Sequence, residues 1–189
     1  MNYEEAHQIM VDNLKNPNMH KHSYAVEAAM RAYARHFGED EETWAVAGIL
    51  HDFDYEKWPE EHPGKGEPLL QEMNVPPEII QAIQEHGYIP AESLMGKALK
   101  AVDRLTGLIT AVALVRPDKK ITEVKIKSVK KKMKDKSFAA QIDRDDLRAC
   151  ATDLGIEFEE HVEIVLGAMK SISDKLGLWL LNKTFNKSS

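Results

Sequence analysis

The sequence predicts an all-α helical bundle. Apolar residues recur at steps of three and four, as in the stripe Ala98, Val102, Leu105, Ile109 and Val112. Turn-forming residues cut the chain into helix-length pieces, and no run of two-residue alternation is long enough for a strand.

The elements follow in order. Asn16-Pro17-Asn18 closes a first helical segment. A second begins near Met19 and ends at Phe37-Gly38, where glycine suits a helix C-terminus. The third is the apolar run Trp44–Leu50, ending at His51-Asp52. Pro59, Pro63, Gly64 and Gly66 make a long irregular connection. Asn74-Val75-Pro76-Pro77 starts a new helix, because proline is tolerated in the first turn and not inside, and Ile79, Ile80 and Ile83 give it an apolar face. The long helix from about Glu92 stops at Arg116-Pro117-Asp118. Three further segments run from about Thr122, from Asp143 to Leu154, and from Glu157 to Ser173. There is no internal repeat. Residues 1–181 read as one domain and 182–189 as a polar tail.

The chain has 189 residues, enough for one domain with a real core. Hydrophobic residues make up 43% and charged residues 30%, which excludes a disordered chain. The net charge of −6 disfavours nucleic acid as a partner except at a local basic patch. The single cysteine, Cys150, forms no internal disulfide and fits a reducing compartment. The N-terminus lacks a basic start and an apolar stretch, so no signal peptide is expected. The longest apolar stretch, near Leu108–Val115, is too short to span a bilayer. A cytoplasmic protein that does not enter membranes is expected, with room for self-association into a homo-oligomer.

Metal-binding residue types stand at helix ends and inside one helix. His22 opens the second helix, with Ala25, Val26 and Ala29 near its face. His51 and Asp52 end the third. Neighbours on a helix do not share a face, but at a fraying end both side chains turn towards one ion. Asp103 lies inside the long helix with Leu99, Thr106, Gly107 and Thr110 on its face, a costly setting for a carboxylate unless it is paired or metal-bound. His62, in the irregular connection, and His86, at the end of the Ile79–Glu85 helix, would hold a second ion with Asp52 as the bridge. Paired ions suit in-line displacement at phosphorus.

The order His22, His51-Asp52, Asp103 resembles the signature of the HD-domain metal-dependent phosphohydrolase superfamily. Leu50-His51-Asp52-Phe53-Asp54 is similar to that family's LHD-x-[GD] segment. His62-Pro63, followed by Gly66 and Leu69-Leu70, resembles the HP-x-x-G-x-x-L-L segment of its HDIG-type branch, and Ala101–Leu105 resembles the last metal-ligand helix. The resemblance covers about residues 20–115, the metal-site core, with the helices of about 122–175 packed on it. It implies an all-α fold and hydrolysis of phosphate esters. It assigns a first ion to His22, His51, Asp52 and Asp103, and a second to His62 and His86 with Asp52 shared. Where the cyclic-dinucleotide branch carries paired histidines, this chain has His86-Gly87, which leaves one ion or two open. Imidazole-rich ligation favours Mn, Fe, Co, Ni or Zn over Mg alone.

The expected activity is attack on a small phosphate ester by metal-activated water, with nucleoside monophosphates or other phosphomonoesters ahead of diesters. Asp52, as ligand or bridge, and Asp54 would orient the water. Asp54 reads equally as a helix cap or partner of Lys57 and as a residue that orients a metal ligand or acts as general base for the water. Arg104 reads as a phosphate contact or as half of a salt bridge. Lys127, Lys130, Lys131 and Lys134 share one helical face and would hold phosphate if that face meets the cleft; otherwise they are a solvated face. No aromatic residues interleave with them, as single-stranded nucleic acid would require. His7, His20, His36 and His161 have no partner pattern and read as structural or surface residues. Trp44, Trp58 and Trp179 read as core or surface anchors, with Trp58 placed to flank a pocket. The alternative function is a non-catalytic regulatory protein that binds metal or nucleotide.

Overall fold

The computed structural model describes residues 1–178; Trp179 and the tail from 182 to 189 lie outside the described residues. Among the described residues there are helices and no strands. They run α1 Tyr3–Asn13, α2 Pro17–Phe37, α3 Glu41–Leu50, α4 Glu67–Glu72, α5 Pro77–Gly87, α6 Leu94–Leu114, α7 Ile126–Met133, α8 Arg144–Asp153, α9 Phe158–Ser171 and α10 Ser173–Leu176. Single 3-10 turns stand at Gly64–Gly66 and Ile121–Glu123.

Local chemistry sets the ends of these helices. Asn16 caps α2 by accepting from the Asn18 amide, with Pro17 in the first turn, and Gly38 ends α2 at φ 76°. Asp40 caps α3 through Thr43, and Ser93 caps α6 through Gly96. The two longest helices, α2 and α6, each 21 residues, carry the metal-ligand candidates His22 and Asp103.

The tightest packing joins α2 to α3. Gly48 brings the α3 backbone so close that a side chain there would begin 2.9 Å from the Glu27 Cα. α3 is buried on every side from Trp44 to Leu50, so it forms the centre of the bundle. α5 lies against α6 and α3, while α9 joins α2 and α6 and carries α7, α8 and α10 with it.

Two sequence readings are refined. The irregular connection gives way to helix α4 as early as Glu67. The segment expected from about Thr122 starts as one 3-10 turn, and its helix begins only at Ile126. Among the described residues, no helix is long and apolar enough to cross a membrane.

Candidate metal centre

Four side chains from three elements converge first. α2 supplies His22, the end of α3 supplies His51 and Asp52, and α6 supplies Asp103. His22 Nε2 lies 3.1 Å from His51 Nε2, 2.9 Å from Asp103 Oδ1 and 3.4 Å from Asp52 Oδ2. His51 Nε2 lies 3.2 Å from Asp52 Oδ2 and 3.7 Å from Asp103 Oδ1.

A second group adjoins the first. His62 Nε2 lies 3.0 Å from Asp52 Oδ1 and 3.2 Å from His86 Nε2, and His86 Nε2 lies 3.8 Å from Asp52 Oδ1. Asp52 therefore turns Oδ2 to one group and Oδ1 to the other. It does so because the chain leaves the helix after Leu50 through successive turns, with the Phe53 amide on Leu50 O and the Tyr55 amide on Asp52 O.

The far side of three rings is fixed. His51 Nδ1 is 2.8 Å from Gly48 O and His86 Nδ1 meets Ile83 O, each bond reaching back three residues, while His62 Nδ1 is 2.6 Å from Asp54 Oδ1. With Nδ1–H donating in each, the neutral rings present bare Nε2 lone pairs to one another and to carboxylate oxygens. Lone pairs 3.2 Å apart repel unless a positive centre sits between them. The donor set therefore fits divalent cations, with His22, His51 and Asp103 grouped for one ion, Asp52, His62 and His86 for another, and Asp52 Oδ2 also 3.2–3.4 Å from the imidazoles of the first group. Without a metal, protons do that work. Burial opposes charge on His51, but Asp52 and Asp103 outweigh it and push its pKa up to about 10. Burial likewise opposes charge on His62, and Asp52 and Asp54 carry it to about 9. Burial would raise the Asp52 carboxyl, yet His51, His62 and His86 hold it well below the usual carboxylate range. The Asp103 carboxyl is lowered in the same way by His22 and His51.

Residues 19–108 match the family model described as HD domain. This segment is an HD domain. HD domains are generally metal-dependent hydrolases, and this segment carries two His/Asp groups positioned to hold a metal ion. No curated protein and no solved structure matches the chain.

The ligand groups of the HD domain open into a cleft of about 430 Å³ that is also lined by Tyr55, Pro63, Gly87 and Arg104. Tyr55 sets its ring edge against His62, with centroids 5.4 Å apart. Arg104 is the cationic side chain of the cleft wall, and its Nε is tied to Asp146 of α8. Of the two sequence readings of Arg104, the ion pair is formed, and it stands at the wall of the cleft.

Other expectations need correction. Asp54 does not reach the cleft; it is 2% exposed and lies behind His62, so it orients that ring and is not placed as a base for water. Lys127, Lys130, Lys131 and Lys134 do not line the cleft either. Val129 and Met133 turn α7 inwards against α9 and α6, which leaves the lysines exposed, and Lys130 pairs with Glu159. Trp44 is in the core, and Trp58 is half-buried under Lys57 rather than in the cleft.

Of the remaining histidines, His7 bonds Tyr24, His20 bonds Leu14 O, and His36 is exposed. His161 is fully buried between the Tyr33 hydroxyl and Ala101 O. Sequence reasoning missed Asp146, whose contact with Arg104 spans 42 residues and leaves no local signal. It also missed the carbonyls of Gly48 and Ile83, which the i−3 spacing from each histidine at a helix end had made legible.

Proposed function

We propose that this protein is a divalent-metal-dependent phosphohydrolase acting on a small phosphate ester. The observation that carries the reading is Asp52, shared by two groups of ligand atoms at the floor of an open cleft. His22, His51, Asp52 and Asp103 would hold one ion, and Asp52, His62 and His86 the other. Bound there, a divalent ion supplies water acidified to near neutrality and positive charge for phosphoryl oxygens.

The chain's own residues do the rest. Gly48 O, Ile83 O and Asp54 keep three imidazoles in the tautomer that offers Nε2. Asp52 holds the two groups in register through its two oxygens. Arg104 keeps Nε on Asp146, so its terminal nitrogens remain to take a phosphate oxygen pair at the cleft wall. Tyr55 and Pro63 line the cleft beside His62. A transition ion is preferred over Mg, because four of the six donor side chains are imidazoles.

The test is metal analysis of the purified protein together with a phosphomonoester and diester panel, on wild type and on His51→Ala/Asp52→Ala. Bound metal and turnover in the wild type, both lost in the variant, are expected. Equal activity in the two proteins would end the reading, and bound metal without turnover would leave a metal-binding regulatory role.

A further inference from the structure

A second cavity, of about 320 Å³, lies on the other side of His22, between α2, α6 and the Leu176–Leu178 segment. His22 lines both this cavity and the cleft, so the two adjoin at a metal-ligand candidate. Helical spacing builds the junction. Asn18 stands four residues before His22 on α2, and Gly107 and Thr110 stand four and seven residues after Asp103 on α6, so each helix shows one face to both spaces.

Gly107 is the informative residue. A glycine in the middle of a 21-residue helix costs stability relative to alanine. Close packing excuses that at Gly48 and Gly96, where a side chain would strike Glu27 and Glu85. At Gly107 nothing among the described residues lies within 4 Å of where a side chain would start. Among the described residues the missing side chain serves no packing and leaves free space in the cavity wall. The other walls are mixed: Leu114, Leu176 and Leu178 are apolar, and Asn18 and Lys21 bring an amide and an ammonium. The Lys21 Nζ is drawn in to Gly177, 3.1 Å from where a side chain would begin.

We propose that this cavity seats the organic body of the substrate, and that the body is a single ring system bearing a hydrogen-bond acceptor. The proposal rests on the phosphohydrolase reading for the phosphate end. The volume is at the small end for ligand pockets, so it suits one ring system and not an extended chain or a dinucleotide. The leucines cover the ring faces, Lys21 and Asn18 take the acceptor, and the phosphate points past His22 to the ions and Arg104.

The experiment compares wild type with Gly107→Leu, Lys21→Gln and the control Gly167→Leu, whose helical glycine also meets nothing within 4 Å among the described residues but lies on α9 away from the cleft. Probes are nucleoside 5′-monophosphates and 1-naphthyl phosphate, with glycerol phosphate as the short ester. Binding of the ring bodies alone, nucleosides and naphthol, is followed by ligand-observed NMR; melting temperature and metal content verify the fold. Gly107→Leu is expected to fold and load metal, to weaken ring-body binding at least tenfold, and to lower the ring-to-short ratio of kcat/KM by as much. Lys21→Gln should weaken acceptor-bearing bodies more than naphthol. Gly167→Leu should match wild type. Ring bodies that bind Gly107→Leu as well as wild type, or that bind neither, overturn the proposal. Ring binding lost in Gly107→Leu while no ester is turned over by wild type would keep the cavity assignment and end the phosphohydrolase reading.

Discussion

Asp54 holds His62 from behind: its Oδ1 lies 2.6 Å from His62 Nδ1, and the opposite ring nitrogen reaches Asp52 Oδ1 at 3.0 Å. The buried carboxylate thus fixes which tautomer of His62 faces the second ligand group. Asp54→Asn keeps the shape but presents an amide, and if its NH₂ faces the ring it pushes the proton to Nε2. The second ion should bind about 10–100-fold more weakly while the first is retained. Metal titration by calorimetry with elemental analysis checks this; two ions of undiminished affinity in the variant would contradict the orienting role.

Asp52 is the residue on which both groups depend, so its removal should differ in kind from removal of a terminal ligand. His86→Ala takes one donor from one group and should leave one ion bound. Asp52→Ala takes a donor from both and also frees four imidazoles from the carboxylate that balances them. Elemental analysis should find about one ion in the first variant and substantially less in the second. Stripping wild type with a chelator should lower its melting temperature, because an ion that binds only the folded chain stabilises it by mass action. A melting temperature indifferent to chelation would mean that the residues hold no ion in the folded state.

Legibility followed distance along the chain. The helices were readable because each buries a face with its own period, as α6 does through Ala98, Val102, Leu105, Ile109 and Val112. The metal-ligand candidates were singled out by the order His22, His51-Asp52, Asp103 and by the cost of a carboxylate at Asp103, and the fold brings those side chains together. How His51 and Asp52 divide their labour was not, since it depends on turns after Leu50 that adjacency does not dictate. The α7 lysines show the opposite failure. Their spacing defines a face, but Val129 and Met133 decide where that face points. Asp146 and the emptiness beside Gly107 belong to contacts between distant elements, so only the assembled fold exposes them.

His161 should make stability fall in acid. It is fully buried with Tyr33 Oη 2.5 Å from Nδ1 and Ala101 O 3.3 Å from Nε2, an arrangement that satisfies the neutral ring with Tyr33 donating and Nε2–H donating. Burial lowers its pKa from 6.5 to about 4. Because the unfolded chain binds the proton more readily, stability is complete above about pH 6.5 and is lost as pH falls to about 4, by about 3 kcal/mol from this group. Urea melts at pH 7 and pH 4.5 on wild type and His161→Gln read the difference, with carboxylate contributions common to both. Equal pH dependence in the two proteins would remove His161 as the cause.

Gly48 ties packing to chemistry. A side chain there would begin 2.9 Å from the Glu27 Cα and 3.1 Å from the Glu27 backbone nitrogen, and neither backbone atom can swing aside. Gly48→Ala should gain helix propensity yet lose about 1–3 kcal/mol overall from overpacking between α2 and α3. The same shift moves Gly48 O, which holds His51 Nδ1, so metal affinity should fall with stability. Denaturant melts of the metal-free protein and metal titration of the folded protein separate the two effects. Unchanged metal affinity alongside lost stability would show that His51 is positioned without its carbonyl.

Arg104 and the α7 lysines should behave oppositely. Arg104 lines the cleft with its Nε on Asp146, and Lys100 lies 3.8 Å from the same carboxylate, so the guanidinium is anchored beside the ligand groups. Arg104→Ala should raise KM for a phosphomonoester at least tenfold, since a charge-assisted contact to phosphate is lost. Asp146→Asn should give a smaller rise, because it loosens the anchor and keeps the cation. Neutralising Lys127, Lys130, Lys131 and Lys134 together should change KM less than about twofold at physiological salt. Those side chains are exposed and the field of exposed charges is screened beyond about 8 Å. Steady-state kinetics of the three proteins decides it. A larger effect from the lysines than from Arg104 would mean that substrate approaches over α7 and not along the Arg104 wall of the cleft.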